Sequence, residues 1–416
     1  MKHKSAFDRR TFLKTLMGAA ALSVAGQACA VEGRSWDDAF DVRVSAGGEQ
    51  VASNQPVLSL ATVAYTEMAI ATYSNIVSQG GWGLVPTQQG PLQTGVKHPA
   101  VTALRERLFV SGDLARGVGV SQVFDSYVEG AVRRFQARHG LPVDGQVGDV
   151  TYRALNVSAD MRLNQLHKNL ERLNKVVAKT ADEKRFVMVN VPSAQIEAVE
   201  KVMVVQRHTA VVGKIDRQTP ILDSKIHEII LNPFWTVPKS IIRKDIIPLM
   251  RKEPNYLTDN NIHLFNNRGQ EVLPQSVDWN TDEAVGLMFR QDPGKINAMS
   301  STKINFHNRH AVYMHDTPQQ GLFNNLMRFD SSGCIRVHNV RDLNLWILQN
   351  TAGWDRMSME KVIYSRKNTP IAVKDPVPLH FVYISAWSTD DGVVQFRDDI
   401  YHMDGAPELA FGDIAR

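Results

Sequence analysis

The chain has 416 residues, enough for two or three domains. Its 43% hydrophobic and 22% charged content is that of a globular protein, and no apolar stretch reaches the roughly 20 residues of a membrane-spanning helix. The formal net charge of +4 is modest, so composition gives no support to a nucleic-acid-binding surface.

Residues 1–30 read as an export signal. Arg9 and Arg10 open R-R-x-F-L-K, an apolar run from Leu16 to Ala25 follows, and Ala28-Cys29-Ala30 offers an A-x-A cleavage site. The paired arginines point to the twin-arginine (Tat) route and a periplasmic destination. A lipoprotein signal cut before Cys29 is disfavoured by Gln27. Cleavage removes Lys2, Lys4, Arg9, Arg10 and Lys14 against Asp8, a net of +4 that equals the charge of the whole chain. It also removes Cys29, which leaves Cys334 as the one thiol. An internal disulfide is then excluded, and Cys334 is either a buried hydrophobe or a nucleophile.

Residues 31–100 are expected to hold a polar linker and then a helix, with apolar helical spacing from Leu58 to Val77 and a stop at Gly80-Gly81. Residues 101–157 form a small all-α unit: one amphipathic helix ending at Gly112, a second with Val132 and Phe135 on one face and Gly140 as its C-terminal signal, and a third short helix. Leu104, Arg107, Gly112, Phe135, Gln136, Gly140, Asp144-Gly145, Gly148, Thr151 and Ala154-Leu155-Asn156 make this unit resemble the three-helix peptidoglycan-binding module, which implies glycan strands as a partner. A connecting amphipathic helix spans 158–184.

The apolar period then changes. "RFVMVNVP", "AVEKVMVVQRHTAVVG", "KIHEIILNPFW", "HAVYMHD" and "PVPLHFVYISAWSTDDGVVQF" are β-branched-rich runs. Helices interrupt them at "PKSIIRKDIIPLMRKE" and "VRDLNLWILQN" rather than alternate with them, which predicts a mainly antiparallel β domain with helical insertions over 185–405. A long insertion spans 238–280, and 406–416 is a tail.

The chemistry gathers at "FDSSGCIRVHNV". A cysteine acts through its thiolate and needs a base, and His315, at the end of a predicted strand, is the nearest candidate. Gly333 lets the main chain approach a carbonyl, and the N–H groups of Gly333 and Cys334 could face an oxyanion. Arg336 would project from the same face as Cys334 in an extended segment and could hold a carboxylate. Cys334, His315 and His338 would make only three metal ligands, so no metal is expected, and no cofactor.

His315-Asp316-Thr317-Pro318, Leu322-Phe323, Arg328 and Ser331-Ser332-Gly333-Cys334-Ile335-Arg336-Val337 closely resemble the L,D-transpeptidase (YkuD-type) catalytic domain. "GKIDRQTP", "LNPFWTVPKSIIRKDIIPLMRKEPNYL" and "RQDPGKINAMSSTKINFHN" resemble its large Gram-negative, YcbB-like subfamily, which implies that the insertion at 238–280 caps a groove. The resemblance implies a cysteine acyltransferase that joins peptidoglycan stem peptides, tetrapeptide donor to stem-peptide acceptor, by 3→3 cross-links. Cys334 would be the nucleophile, His315 the general base, Asp316 the residue whose carbonyl orients His315, and Gly333 part of the oxyanion hole. Arg336 and Ser332 would contact substrate, Ser332 standing where many shorter members have histidine. Carbapenems would be covalent inhibitors. Hydrolysis of stem peptides through the same thioester, or attachment of a protein amine to the wall, are the alternatives.

Overall fold

The computed structural model describes residues 53–405. The expected export signal, most of the linker and the tail lie outside the described residues. Helix α1 (Leu60–Ser78) starts at Ser59, whose hydroxyl accepts from the Thr62 N–H (3.1 Å). The small helical unit comprises α2 (Pro99–Val110), α3 (Ser126–Arg138) and α4 (Asp149–Leu155). Pro99 opens α2, where a missing N–H costs nothing, and Asp125 caps α3 through the Val128 N–H. Gly140, at φ +66°, ends α3 in the left-handed region. Leu104, Leu108, Val128, Val132, Phe135 and Leu155 make its core. Burial of each such side chain stabilises by roughly 1.5–3 kcal/mol.

This unit is fastened to the rest of the chain. Arg138 pairs with Asp113 (2.7 and 2.6 Å) and donates to the Val394 carbonyl (3.2 Å). Leu326 and Met327, from the loop that leads to Cys334, pack on the same core. Helix α5 (Ala159–Thr180) buries Leu173 and Val177 against the β domain. Its Asn169 bonds Ser385 through both the hydroxyl and the N–H.

The β domain is a barrel. Strands β1 (Arg185–Asn190), β2 (Gln195–Glu200), β3 (Met203–Gly213) and β4 (Leu222–Leu231) are joined by β9 (Thr302–Phe306), β10 (Met314–His315), β12 (Ile335–Val337) and β13 (Thr369–Val382). Their order is β3-β12-β10-β9-β4-β13-β1-β2, and β2 pairs back onto β3, so the sheet closes with no free edge. A further short strand, β11 (Phe329–Ser331), attaches to β3. Most pairings are antiparallel, as the interrupted pattern predicts, and β1–β13, β10–β12 and β11–β3 are parallel. The run 198–213 breaks at Lys201-Val202, both at positive φ, which makes the tight turn between β2 and β3. Val189, Ile196, Ile304, Met314, Ile335, Val337 and Leu379 point into the core, together with Leu343 and Ile347 of α6 (Val340–Ile347). Helix α7 (Arg356–Ser365) is held by a reciprocal cap between Asp355 and Ser358 rather than by a clear apolar period.

Between β4 and β9 the chain leaves the barrel as a lobe. Strands β5 (Trp235–Thr236), β6 (Ile262–Phe265), β7 (Glu271–Val272) and β8 (Met288–Gln291) form their own sheet, with Trp235 opposite Gln291 at its start and finish. Ile242, Ile246, Met250, Leu257, Leu264 and Phe289 make a separate core. A π turn over Ile242–Ile246 precedes Pro248, which cannot donate to the carbonyl four residues back.

Candidate active site

Strand register builds the site. His315 on β10 lies opposite Lys303 of β9 and Arg336 of β12, while the neighbouring Met314, Ile304 and Ile335 fill the core. Alternation therefore turns Lys303, His315 and Arg336 to the outer face in one row. Tyr313 joins them from two residues before His315. Cys334 precedes β12, partly exposed at the rim of the core and against Tyr313.

His315 is buried. Its Nδ1 lies 2.5 Å from the Asp316 carbonyl oxygen, which can only accept, so Nδ1 carries the proton and Nε2 is left as the basic atom. The Asp316 carboxylate does not touch the ring. It accepts from the Ser301 hydroxyl (2.5 Å), the Ser301 N–H (3.1 Å) and the Thr317 N–H (2.8 Å), and so fixes the carbonyl that orients His315.

The turn before Cys334 is equally constrained. Gly333 has φ +106°, and a Cβ there would lie 3.3 Å from the Gln218 carbonyl. Ser331 Oγ donates to the Cys334 carbonyl (2.5 Å) and accepts from the Gly333 N–H (3.1 Å). The Gly333 amide is thus engaged inside the turn by the Ser331 hydroxyl. Thr219 Oγ1 donates to the Gly333 carbonyl (3.0 Å) and accepts from the Gly213 N–H (2.9 Å). Tyr401, from the far end of the domain, donates to the Gly213 carbonyl (2.7 Å) and accepts from the Thr219 N–H (3.1 Å). Ser332 is exposed, and its hydroxyl accepts from Arg217 (2.9 Å). Arg336 donates to the Gln319 side chain (3.0 Å).

Burial sets the electrostatics. It lowers the His315 pKa to about 4, with Arg336 and Lys303 adding to the effect and Asp316 opposing it. Burial also raises the Cys334 thiol, against the opposing pull of Tyr313, Lys303 and Arg336. The resting pair is therefore a neutral thiol and a neutral imidazole, with two cations placed to favour a thiolate as it forms. Tyr313 is pushed well above its usual value by burial and by Cys334, so its phenol stays protonated. Lys303 Nζ lies 4.5 Å from the Tyr313 ring centre.

Lys303, Tyr313, Thr219 and Arg217 are given no role by the motif reading, although "RQDPGKINAMSSTKINFHN" contains Lys303 and "GKIDRQTP" contains Arg217 and Thr219. Strand alternation in "VYMHD" carries a signal for Tyr313; the others arrive through pairings that local sequence does not reveal. His338 turns toward Phe323, with ring centres 4.9 Å apart. Among the described residues no group of three or more His, Cys, Asp or Glu side chains is arranged to hold a metal ion.

A partly exposed cysteine and a buried, neutral imidazole thus lie close along one side of the barrel sheet. Residues 184–377 match the YkuD family, described as "L,D-transpeptidase catalytic domain", and residues 97–155 match a "Putative peptidoglycan binding domain". The chain carries a YkuD-type L,D-transpeptidase catalytic domain preceded by a peptidoglycan-binding domain. It is 33% identical over 247 residues to the "Putative L,D-transpeptidase" of Haemophilus influenzae, covering 59% of this chain and 49% of that one. It therefore spans about half the length of that curated relative. A 72-residue stretch is 43% identical to the N-acetylmuramoyl-L-alanine amidase CwlM of Mycobacterium tuberculosis, covering 15% of this chain and 18% of that protein. Among solved structures, the L,D-transpeptidase of Xylanimonas cellulosilytica aligns with 71% of this chain and all of its own, at 16% identity and a TM-score of 0.23.

Proposed function

We propose that this protein is a peptidoglycan L,D-transpeptidase that forms 3→3 cross-links through a thioester on Cys334. The observation that carries the reading is the neutral His315, its Nδ1 locked on the Asp316 carbonyl, sharing one face with a partly exposed thiol. Cys334 Sγ attacks the carbonyl between the third residue of a donor tetrapeptide, a diamino acid, and its terminal D-alanine. The thiol proton passes to His315 Nε2 and then to the departing amine, so D-alanine leaves and a thioester remains. The side-chain amine of an acceptor stem attacks the thioester, His315 takes its proton, and the thiol is restored. The Cys334 N–H faces the oxyanion, and Arg336 offers a cation to a donor carboxylate.

The helical unit, in this reading, holds glycan strands, and the protein works in the periplasm after export by the Tat route. Export of an Arg9→Lys, Arg10→Lys double variant as efficient as wild type would remove the Tat assignment. Among the described residues no helix is long and apolar enough to cross a membrane. The deciding experiment incubates the protein with tetrapeptide muropeptides and reads products by mass. A cross-linked dimer with loss of one D-alanine is the expected product. Tripeptide without dimer would indicate hydrolysis, and transfer only to a protein amine would indicate attachment.

A further inference from the structure

One guanidinium joins the lobe to the turn that carries Cys334. Arg217 lies in the loop after β3. It donates through Nη1 to Asp245 Oδ2 (2.7 Å) and through Nη2 to Oδ1 (3.0 Å). The same Nη1 donates to Ser332 Oγ (2.9 Å). Asp245 belongs to the π turn of the lobe, and Ser332 stands two residues before Cys334. The Arg217 side chain is 21% exposed and Asp245 is 42% exposed, so the pair sits at a half-covered seam.

The loop that carries Arg217 is already joined to the Cys334 turn by its backbone. The Lys214 N–H donates to the Ser331 carbonyl (3.0 Å), and a Cβ on Gly333 would lie 3.3 Å from the Gln218 carbonyl and 3.6 Å from that of Arg217. A Cβ on Gly213 would clash with the Arg217 carbonyl, so the loop folds back closely enough there to exclude any side chain. These contacts hold the turn whatever the lobe does. The guanidinium differs because it answers to both sides. A two-pronged Arg–carboxylate pair fixes the plane of the guanidinium as well as its charge. With Asp245 in place, Nη1 is aimed at Ser332, and Asp216 lies 3.7 Å from the Arg217 Nε.

We propose that Arg217 is a positioning residue that ties the lobe, through Asp245, to the Ser332-Gly333-Cys334 turn, so that an intact Asp245–Arg217–Ser332 link speeds thioester formation. The kinetic part rests on the transpeptidase reading; the structural part does not. Arg217 acts through Ser332 and Asp245 and touches no reacting atom.

The test uses the whole protein. Asp245→Asn should lower the rate constant of thioester formation about fivefold, as expected for loss of one charge-assisted pair at a partly exposed site. KM should stay within about twofold and the melting temperature should not move, because the turn keeps its backbone ties. Ser332→Ala should give a similar loss, and the double variant should be no slower than the slower single one, since both act through one guanidinium. Arg217→Lys keeps the charge but not the fork and should not restore the rate. Hydrogen exchange of substrate-free protein supplies a readout that needs no activity. Asp245→Asn should speed exchange in residues 331–335, although position 245 lies in the lobe. Multiplying kinetic losses, or unchanged exchange at 331–335, would overturn the proposal. If wild type forms no thioester, the transpeptidase reading fails and exchange alone decides the coupling.

Discussion

Lowering the pH tests the electrostatics of the site through His315. Burial moves this ring from 6.5 to about 4, which corresponds to a preference of roughly 3 kcal/mol for the neutral form. The neutral ring is the one that can take the thiol proton. Acylation should therefore hold a plateau from neutral pH down to about pH 5 and fall to half near pH 4. The same displacement enters stability. Between pH 6.5 and 4 the unfolded chain binds a proton at this position and the folded chain does not, so stability falls as the pH drops through that window. Between pH 7 and 4.5 the loss attributable to His315 is about 2.5 kcal/mol. Other buried groups, His139 among them, act with the same sign, so the quantity to read is the difference between wild type and His315→Gln. Urea unfolding at the two pH values gives the stability, and quenched mass spectrometry gives the rate. A rate midpoint near 6.5, or equal acid destabilisation of both proteins, would refute the claim that burial governs this ring.

Three further outcomes follow from the geometry. Gly333→Ala puts a side chain at φ +106° and 3.3 Å from a carbonyl, so acylation should collapse while the barrel still melts cooperatively, as followed by circular dichroism. Thr219→Val leaves the Gly213 N–H without its acceptor and the Gly333 carbonyl without its donor, and should cost about 1–3 kcal/mol in chemical unfolding. Arg336→Gln should raise KM for a tetrapeptide donor about tenfold, because a charged hydrogen bond to a carboxylate is lost, and should also lower kcat, because a cation beside the forming thiolate is lost; an unchanged KM would remove Arg336 from substrate binding.

How much of this was readable from the chain depends on how far apart the partners lie. Cys334, Arg336 and the positive-φ Gly333 stand in one continuous motif, and His315 with the Asp316 carbonyl in another, so local sequence announced them. Tyr313 was half legible, because alternation places it on the face of His315. Lys303 enters by the register of β9 on β10, which no local pattern specifies. Thr219 meets Tyr401 across 182 residues and Gly333 across 114, and such pairings exist only once the barrel closes. The helical unit was legible from its periodicity and glycine stops. Its contact with Leu326 and Met327 was not, since nothing in an apolar pair says which surface will cover it.

The central claim is that Cys334 is the nucleophile, and one measurement addresses it most directly. Wild type and Cys334→Ala are each treated with a tetrapeptide donor and, separately, with a carbapenem, whose strained amide resembles the scissile bond. Intact-protein mass is then recorded. Wild type should gain one acyl group from the donor with release of D-alanine, and one drug mass from the carbapenem. Cys334→Ala should gain neither. Labelling of Cys334→Ala at the wild-type rate, or a wild type with a free thiol that gains nothing from either reagent, would contradict the account and return Cys334 to the role of a side chain at the rim of the barrel core.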